Sequence, residues 1–383
     1  MRKPRHHSRV KVGVFGLAVG FFLIVAPLNA QQARSSSRDQ FNQSTSADSE
    51  LQIGTQLTRA GRFQDAIPHL LAARGGVSNQ FAAEFNLALC YVATRQNAQA
   101  IPILIELRGT RENAQVENLL AQAYIGTGNS KAALDAVKRA VALTPENEKL
   151  YTFVADACTE NQNYDLGLEV VDLGLQHLPD SAGLHYQRAM FLSSLDEFDA
   201  AKPDFELARK FGADSDIGYL AAAQESLLAG KIEDAVRVAR EGISGGHNDY
   251  RLLTILGDGL LRLGATPDQP QFADAKSALI KAVSLRPSYS DAQLALGKLE
   301  LISHHLDAAI SRLQQARSLD PHNPAIYSHL AAAYRERGDS QKAEEMLAVL
   351  TQMNREQVEK ISSAPGERKP VAGANIRRPE VPK

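Results

Sequence analysis

The sequence predicts an all-α protein made of stacked helix hairpins, and three observations predict it. Residues 47–357 divide into nine successive units of 33 to 40 residues. Within a unit, apolar residues recur at helical spacing in two runs separated by a break. Small residues return at the same two places in every unit, the mark of a repeat whose hairpins bury their faces against neighbours.

The units run 47–80, 81–113, 114–147, 148–181, 182–215, 216–249, 250–289, 290–323 and 324–357. The clearest is Ala114 to Asn147. There Leu120, Ala121 and Tyr124 mark one helix face, Gly128 breaks the run, Ala133, Val137 and Ala140 mark a second face, and Pro145 ends it. Position 8 is filled by Gly54, Ala88, Ala121, Ala155, Ala189, Ala223, Gly257, Gly297 and Ala331. Position 20 is filled by Ala66, Ala100, Ala133, Gly167, Ala201, Ala235, Ala275, Ala309 and Ala343. A side chain beyond methyl at either place would hold the two helices apart. Position 24 supplies the bulk between them, with Leu70, Leu104, Val137, Val171, Phe205, Leu279, Leu313 and Leu347, and only Ala239 undersized. Small-against-large alternation of this kind packs helices ridge into groove.

Some units depart from the pattern. Position 27 carries Leu107 and Leu350, and position 11 carries Ser226 and Glu300. The sixth unit, with Ser226 and Ala239 both undersized, is expected to be the loosest. Pro68, Pro102 and Pro203 all fall at position 22. They are expected in the first turn of a second helix that starts near position 18 or 19, where no intrahelical N–H is lost. The seventh unit holds six extra residues between Gly264 and Ala275, read as a tolerated surface insertion or as a partner-contacting loop. Length alone suggests two or three domains, but repeats that touch only their neighbours extend one core in one direction, so one elongated domain is expected.

The pattern of small residues at positions 8, 20 and 27, large ones at 4, 7, 11 and 24, and proline at 32 resembles the tetratricopeptide repeat. The resemblance covers about four-fifths of the chain. It implies a right-handed α-solenoid of about nine stacked helix-turn-helix repeats, whose first helices line the concave side and whose surfaces bind a peptide or protein. On that implication positions 2, 5, 9 and 12 face the groove. They supply Asn118, Gln122, Lys149, Thr152, Asp156, Tyr186, Gln224, Arg251, Thr254, Asp258 and Lys298 as candidate binding residues, flanked by Leu220, Leu227, Leu261 and Leu294. Docking on the convex face or an edge is the alternative. Some members grip a C-terminal carboxylate with lysine at position 5 and asparagine at position 9; neither stands at its position here, which argues against that mode.

Residues 1–30 carry a basic stretch, the uncharged run Val12 to Leu28, and a small-residue end before Gln31. This is the layout of a secretory signal cleaved after Ala30. An uncleaved membrane anchor is the alternative, and either places the repeats outside the cytoplasm, periplasmic or secreted. Residues 31–46 read as a flexible polar linker. Residues 358–383 read as a disordered tail rich in proline and basic residues, with the last helix continuing to about Ser362.

The whole chain carries 42 basic and 44 acidic residues, and five of the basic ones lie before position 30. The remainder is net acidic, which argues against a nucleic-acid binder. A membrane is a partner only if the N-terminal segment is retained. Cys90 and Cys158 are too few for a disulfide framework or a zinc ribbon, and read as buried packing residues. No nucleophile elbow, zinc-protease motif or phosphate loop occurs. His304-His305 reads as a solvated turn, and Gly75-Gly76 and Gly245-Gly246 as helix ends. No cofactor, metal or catalysis is expected. The expected function is a non-catalytic protein-interaction scaffold, with a substrate-capturing accessory subunit of an envelope enzyme complex as the alternative.

Overall fold

The computed structural model describes residues 37–363, and these form helices joined by short turns. The first helices of successive hairpins are α1 (Ser37–Arg59), α3 (Gln80–Ala93), α5 (Ala114–Gly126), α7 (Glu148–Glu160), α9 (Ala182–Ser194), α11 (Asp216–Leu228), α13 (Tyr250–Arg262), α15 (Ser290–Ile302) and α17 (Pro324–Arg337). The second helices are α2 (Phe63–Ala73), α4 (Asn97–Thr110), α6 (Ser130–Leu143), α8 (Tyr164–His177), α10 (Phe198–Phe211), α12 (Ile232–Ser244), α14 (Pro270–Leu285), α16 (Leu306–Leu319) and α18 (Ser340–Ser363). The fold is an all-α solenoid of helix hairpins. It divides into two units, one ending at His247 with α1–α12 and one starting at Asn248 with α13–α18. The division falls at the end of the sixth repeat.

Each hairpin closes because its two helices can touch. All eighteen residues at positions 8 and 20 are buried. A methyl group built on Gly54 would lie 2.7 Å from Leu70 Cγ, on Gly257 2.4 Å from Leu279 Cγ, and on Gly297 2.8 Å from Leu313 Cγ. Position 8 of the first helix thus sits directly on position 24 of the second. Position 20 faces the following hairpin: a methyl on Gly167 would lie 2.5 Å from the Phe191 ring of α9. Position 24 is buried in every hairpin but the last, where Leu347 is 47% exposed and Met346 turns into the core instead. Among the described residues α18 is the last helix.

The turn inside each hairpin is uniform in a way the sequence conceals. Position 15 is left-handed in all nine hairpins, at Gly61, Arg95, Gly128, Gln162, Asp196, Gly230, Gly264, His304 and Gly338, with φ between 54° and 88°. The N–H of position 16 then returns to the carbonyl of position 11 at 2.7–3.1 Å, the helix-ending pattern that satisfies an orphan carbonyl. This bond uses only backbone, so Ser226 and Glu300 serve at position 11 as well as an apolar residue does.

Successive hairpins are joined by side-chain latches onto the intervening loop. Where position 32 is proline, the residue six places on faces its carbonyl with a polar hydrogen-bonding atom. Tyr151 Oη donates to Pro145 O at 2.7 Å, Gln293 Nε2 to Pro287 O at 2.9 Å and Tyr327 Oη to Pro321 O at 2.8 Å, and His185 Nε2 lies 2.9 Å from Pro179 O. At the first two joints, which lack that proline, position 4 is a buried glutamate instead. Glu84 accepts from Arg74 Nε at 2.7 Å, and Glu117 accepts from Arg108 Nε at 2.7 Å and Nη2 at 2.5 Å.

Two expectations are corrected, those for the position-22 prolines and for the start of α1, while α18 ends close to where it was expected. The second helices containing Pro68, Pro102 and Pro203 begin at position 17, so these prolines are sixth in their helices and each removes a hydrogen bond. All three are exposed, so water satisfies the freed carbonyl and the ring meets no neighbour. Helix α1 starts at Ser37, within the stretch read as a flexible linker, because no glycine or proline interrupts residues 31–53. Helix α18 continues to Ser363, into the stretch read as tail. The six-residue insertion makes an ordered turn, with Thr266 Oγ1 2.6 Å from Asp268 Oδ1, and lengthens α14. The expected signal or anchor at 1–30 and the tail beyond 363 lie outside the described residues.

A non-glycine residue in the left-handed region carries a steric cost of about 1–2 kcal/mol, partly offset by the entropy glycine loses on folding. Gln162→Gly is expected to stabilise the first unit by about 0.5–1 kcal/mol, read as a higher urea midpoint with unchanged slope.

Candidate binding face

Within the first unit α1, α3, α5, α7, α9 and α11 each touch the next first helix, and within the second unit α13, α15 and α17 do the same. Among second helices of the described residues only α6 and α8 meet. The more closely spaced layer is the inner wall of a curved stack, so in each unit the first helices form one continuous inner face.

Most of the residues expected on this face are engaged with other groups of the chain. Asn118 is buried and donates to Leu150 O at 2.7 Å, reaching from α5 to α7, while Gln122 Nε2 donates to Asn118 Oδ1 at 2.7 Å. Gln187 on α9 donates back to Asp156 Oδ1 at 3.2 Å and to Thr152 O at 3.4 Å on α7. In the second unit Lys298 Nζ lies 3.1 Å from Asp258 Oδ1, joining α15 to α13. Burial, and then the Lys298 ammonium, push the nearby His329 imidazole below its ordinary value. Thr254 is buried and donates to Tyr250 O at 2.8 Å. Arg251 grips Asp249 through Nε at 3.0 Å and Nη2 at 2.7 Å. Tyr186 is buried with its ring edge toward Phe205, centroids 6.4 Å apart. Lys149 is exposed and Gln224 half-buried.

The inner face is therefore a polar ladder between first helices. The first helices also carry half-buried apolar side chains: Leu89, Val92, Phe153, Met190 and Leu227 in the first unit, and Leu294 and Leu301 in the second. Leu220 and Leu261, expected to flank the groove, are in the core. Sequence reasoning missed Gln187 and His329 because both stand at position 6, outside the positions the resemblance assigns to the groove. A polar residue recurring at position 6 of a first helix, as Asn86 also does, is the signal that could have found them.

Among the described residues no three His, Cys, Asp or Glu side chains cluster so as to hold a metal, and no helix is long and apolar enough to cross a membrane. Cys90 and Cys158 are buried free thiols, and burial pushes Cys158 up to about 12.

Two family models, both described as tetratricopeptide repeat, match residues 118–182 and 300–364, one in each unit. This is a tetratricopeptide repeat protein. Tetratricopeptide repeats serve protein–protein interaction, and the chain is a scaffold of that kind, in a fold that is typically non-catalytic. Among solved structures it is similar to the APC/C hetero-tetramer Cut9–Hcn1, with a TM-score of 0.50 and 16% identity, covering 83% of this chain and 66% of that one. A tetratricopeptide repeat protein from Parabacteroides merdae is similar over 65% of this chain and 97% of its own, with a TM-score of 0.46 and 17% identity. At such identities the likeness concerns the fold alone. No curated protein matches the sequence.

The ladder makes a testable distinction between residues that hold this tetratricopeptide repeat protein together and residues available to a partner. Asn118→Ala is expected to cost about 1–2 kcal/mol by removing a buried hydrogen-bonded rung. Lys149→Ala should stay within about 0.5 kcal/mol of the parent, both read by urea unfolding.

Proposed function

We propose that this chain is a non-catalytic scaffold outside the cytoplasm that binds a peptide or protein segment along the inner face of its first helices. The observation that carries the reading is the composition of that face. Several of its polar groups are held by hydrogen bonds within the chain, and the same first helices carry half-buried apolar side chains. Such a surface presents its apolar side chains to a partner without first losing the entropy of ordering them. The export reading rests on the basic stretch, apolar run and small-residue end of residues 1–30.

The test is capture from an envelope fraction with a tagged chain beginning at Gln31. Met190→Glu with Leu227→Glu places two charges on the inner face of the first unit, and is expected to reduce the captured partner at least about tenfold. Lys138→Glu, on the exposed side of α6, is expected to leave capture unchanged. Equal capture by both variants, with circular dichroism matching the parent, would show that recognition uses another surface. Recovery of one stoichiometric enzyme would identify the chain as an accessory subunit instead.

A further inference from the structure

Helix α18 differs from the other second helices in two ways. It has 24 residues where they have 11 to 16. Its position 24, Leu347, is 47% exposed, whereas that position is buried in the other hairpins. The core lies against one side of α18, at Ala343 and Met346, with Leu350 and Met353 packed beside them. Glu344, Leu347, Ala348, Thr351 and Arg355 recur at i, i+3, i+4, i+7 and i+11, which gathers them on another face, and all five are exposed.

The α1 end of a second copy does not match this face. Positions 3 and 10 of a first helix pack back onto the preceding second helix, as Leu184 does at Gly174 and Phe191 at Gly167. In α1 these positions are Ser49 and Gln56, both exposed, and of the residues at positions 3, 7 and 10 only Ile53 is a large apolar one. Head-to-tail stacking of one copy's α1 on another's α18 would strip water from polar groups without return. The face of α18 does match itself. An antiparallel pair with its two-fold axis level with the Val349–Leu350 peptide sets Glu344 opposite Arg355 of the second copy, twice, and Ala348 opposite Thr351. The small side chains let the helices approach, with the two Leu347 side chains beside that centre. A parallel pair would set Glu344 on Glu344 and Arg355 on Arg355. Neither residue has an ion-pair partner among the described residues, whereas their charged neighbours are engaged: Lys342 with Asp339, Glu345 with Gln341 and Glu356 with Gln352.

We infer that the chain pairs with a second copy of itself through this face of α18, as an antiparallel two-fold dimer. A self-complementary contact of this kind closes at two copies. One helix per copy is small beside the about 1,200–2,000 Å² of a stable complex, so the dimer is weak, with a Kd on the order of micromolar. Leu347 supplies the apolar contact, and the exposed glutamate–arginine pairs set orientation more than affinity. The contact uses a second helix, so the inner face of first helices plays no part in it, and one dimer carries two such faces.

The test is sedimentation equilibrium of the chain beginning at Gln31, which holds every described residue, from about 1 to 200 µM, a range that brackets a micromolar Kd. The average mass is expected to rise from one chain toward two with concentration. Leu347→Glu should raise the dimer Kd at least about tenfold. Glu344→Arg sets like charge against Arg355 of the second copy and should raise it about threefold to tenfold, and adding Arg355→Glu to that variant should bring it back to within about twofold of the parent. A mass of one chain at every concentration would overturn the inference, as would a dimer that Leu347→Glu leaves unchanged. Failure of the paired charge exchange to recover the dimer would contradict the antiparallel contact. Glu344 and Arg355 are exposed, so this exchange decides the matter even if Leu347→Glu unfolds.

Discussion

The close approach of two helices at positions 8 and 20 is the constraint on which the rest of the structure depends. A hairpin of 13-residue helices is marginal alone, and it persists because glycine or alanine lets a Leu, Val or Phe from the partner helix fill the space between axes. Packing at this density tolerates little extra volume. Every other recurring feature serves that contact. The left-handed residue at position 15 reverses the chain so that position 24 arrives opposite position 8 of the first helix. The backbone bond from position 16 to position 11 ends the first helix at the same point in each hairpin.

Stacking adds a second layer of constraints. Latches onto proline carbonyls at four joints, and glutamate–arginine pairs at the first two, fix those loops against the next first helix. Hydrogen bonds such as Asn118 to Leu150 O and Gln187 to Asp156 fix neighbouring first helices along the inner face. The face proposed to bind a partner is thus assembled from the same groups that hold the stack together, which is why its polar residues cannot all be treated as available to a partner.

The hairpins could be read from the sequence because their decisive positions admit only two residue types. Position 15 could not, since Arg95, Gln162, Asp196 and His304 occupy a conformation usually signalled by glycine, and the backbone geometry shared by all nine hairpins outweighs the local preference. The three prolines at position 22 misled in the other direction: an exposed second turn tolerates the lost hydrogen bond, so the helix starts earlier than a proline-based boundary implies. The candidate face was legible as a set of positions, but not as a network. Whether Asn118 points to solvent or to a neighbouring backbone depends on the spacing of adjacent helices, which no single repeat contains. Leu347 shows the same limit in the last described hairpin, where the pattern is kept but the side chain is exposed.

A double-mutant cycle at Gly297 and Leu313 tests the central contact most directly, because each residue is defined by the space the other leaves. Gly297→Leu alone is expected to cost about 1–3 kcal/mol through overpacking, and Leu313→Ala alone about 2–5 kcal/mol through the cavity it opens. Combined, the new leucine fills that cavity, and the loss should fall short of the sum by about 0.5–3 kcal/mol. Strictly additive losses would mean that these two side chains do not meet, and that the hairpins are held together by something else.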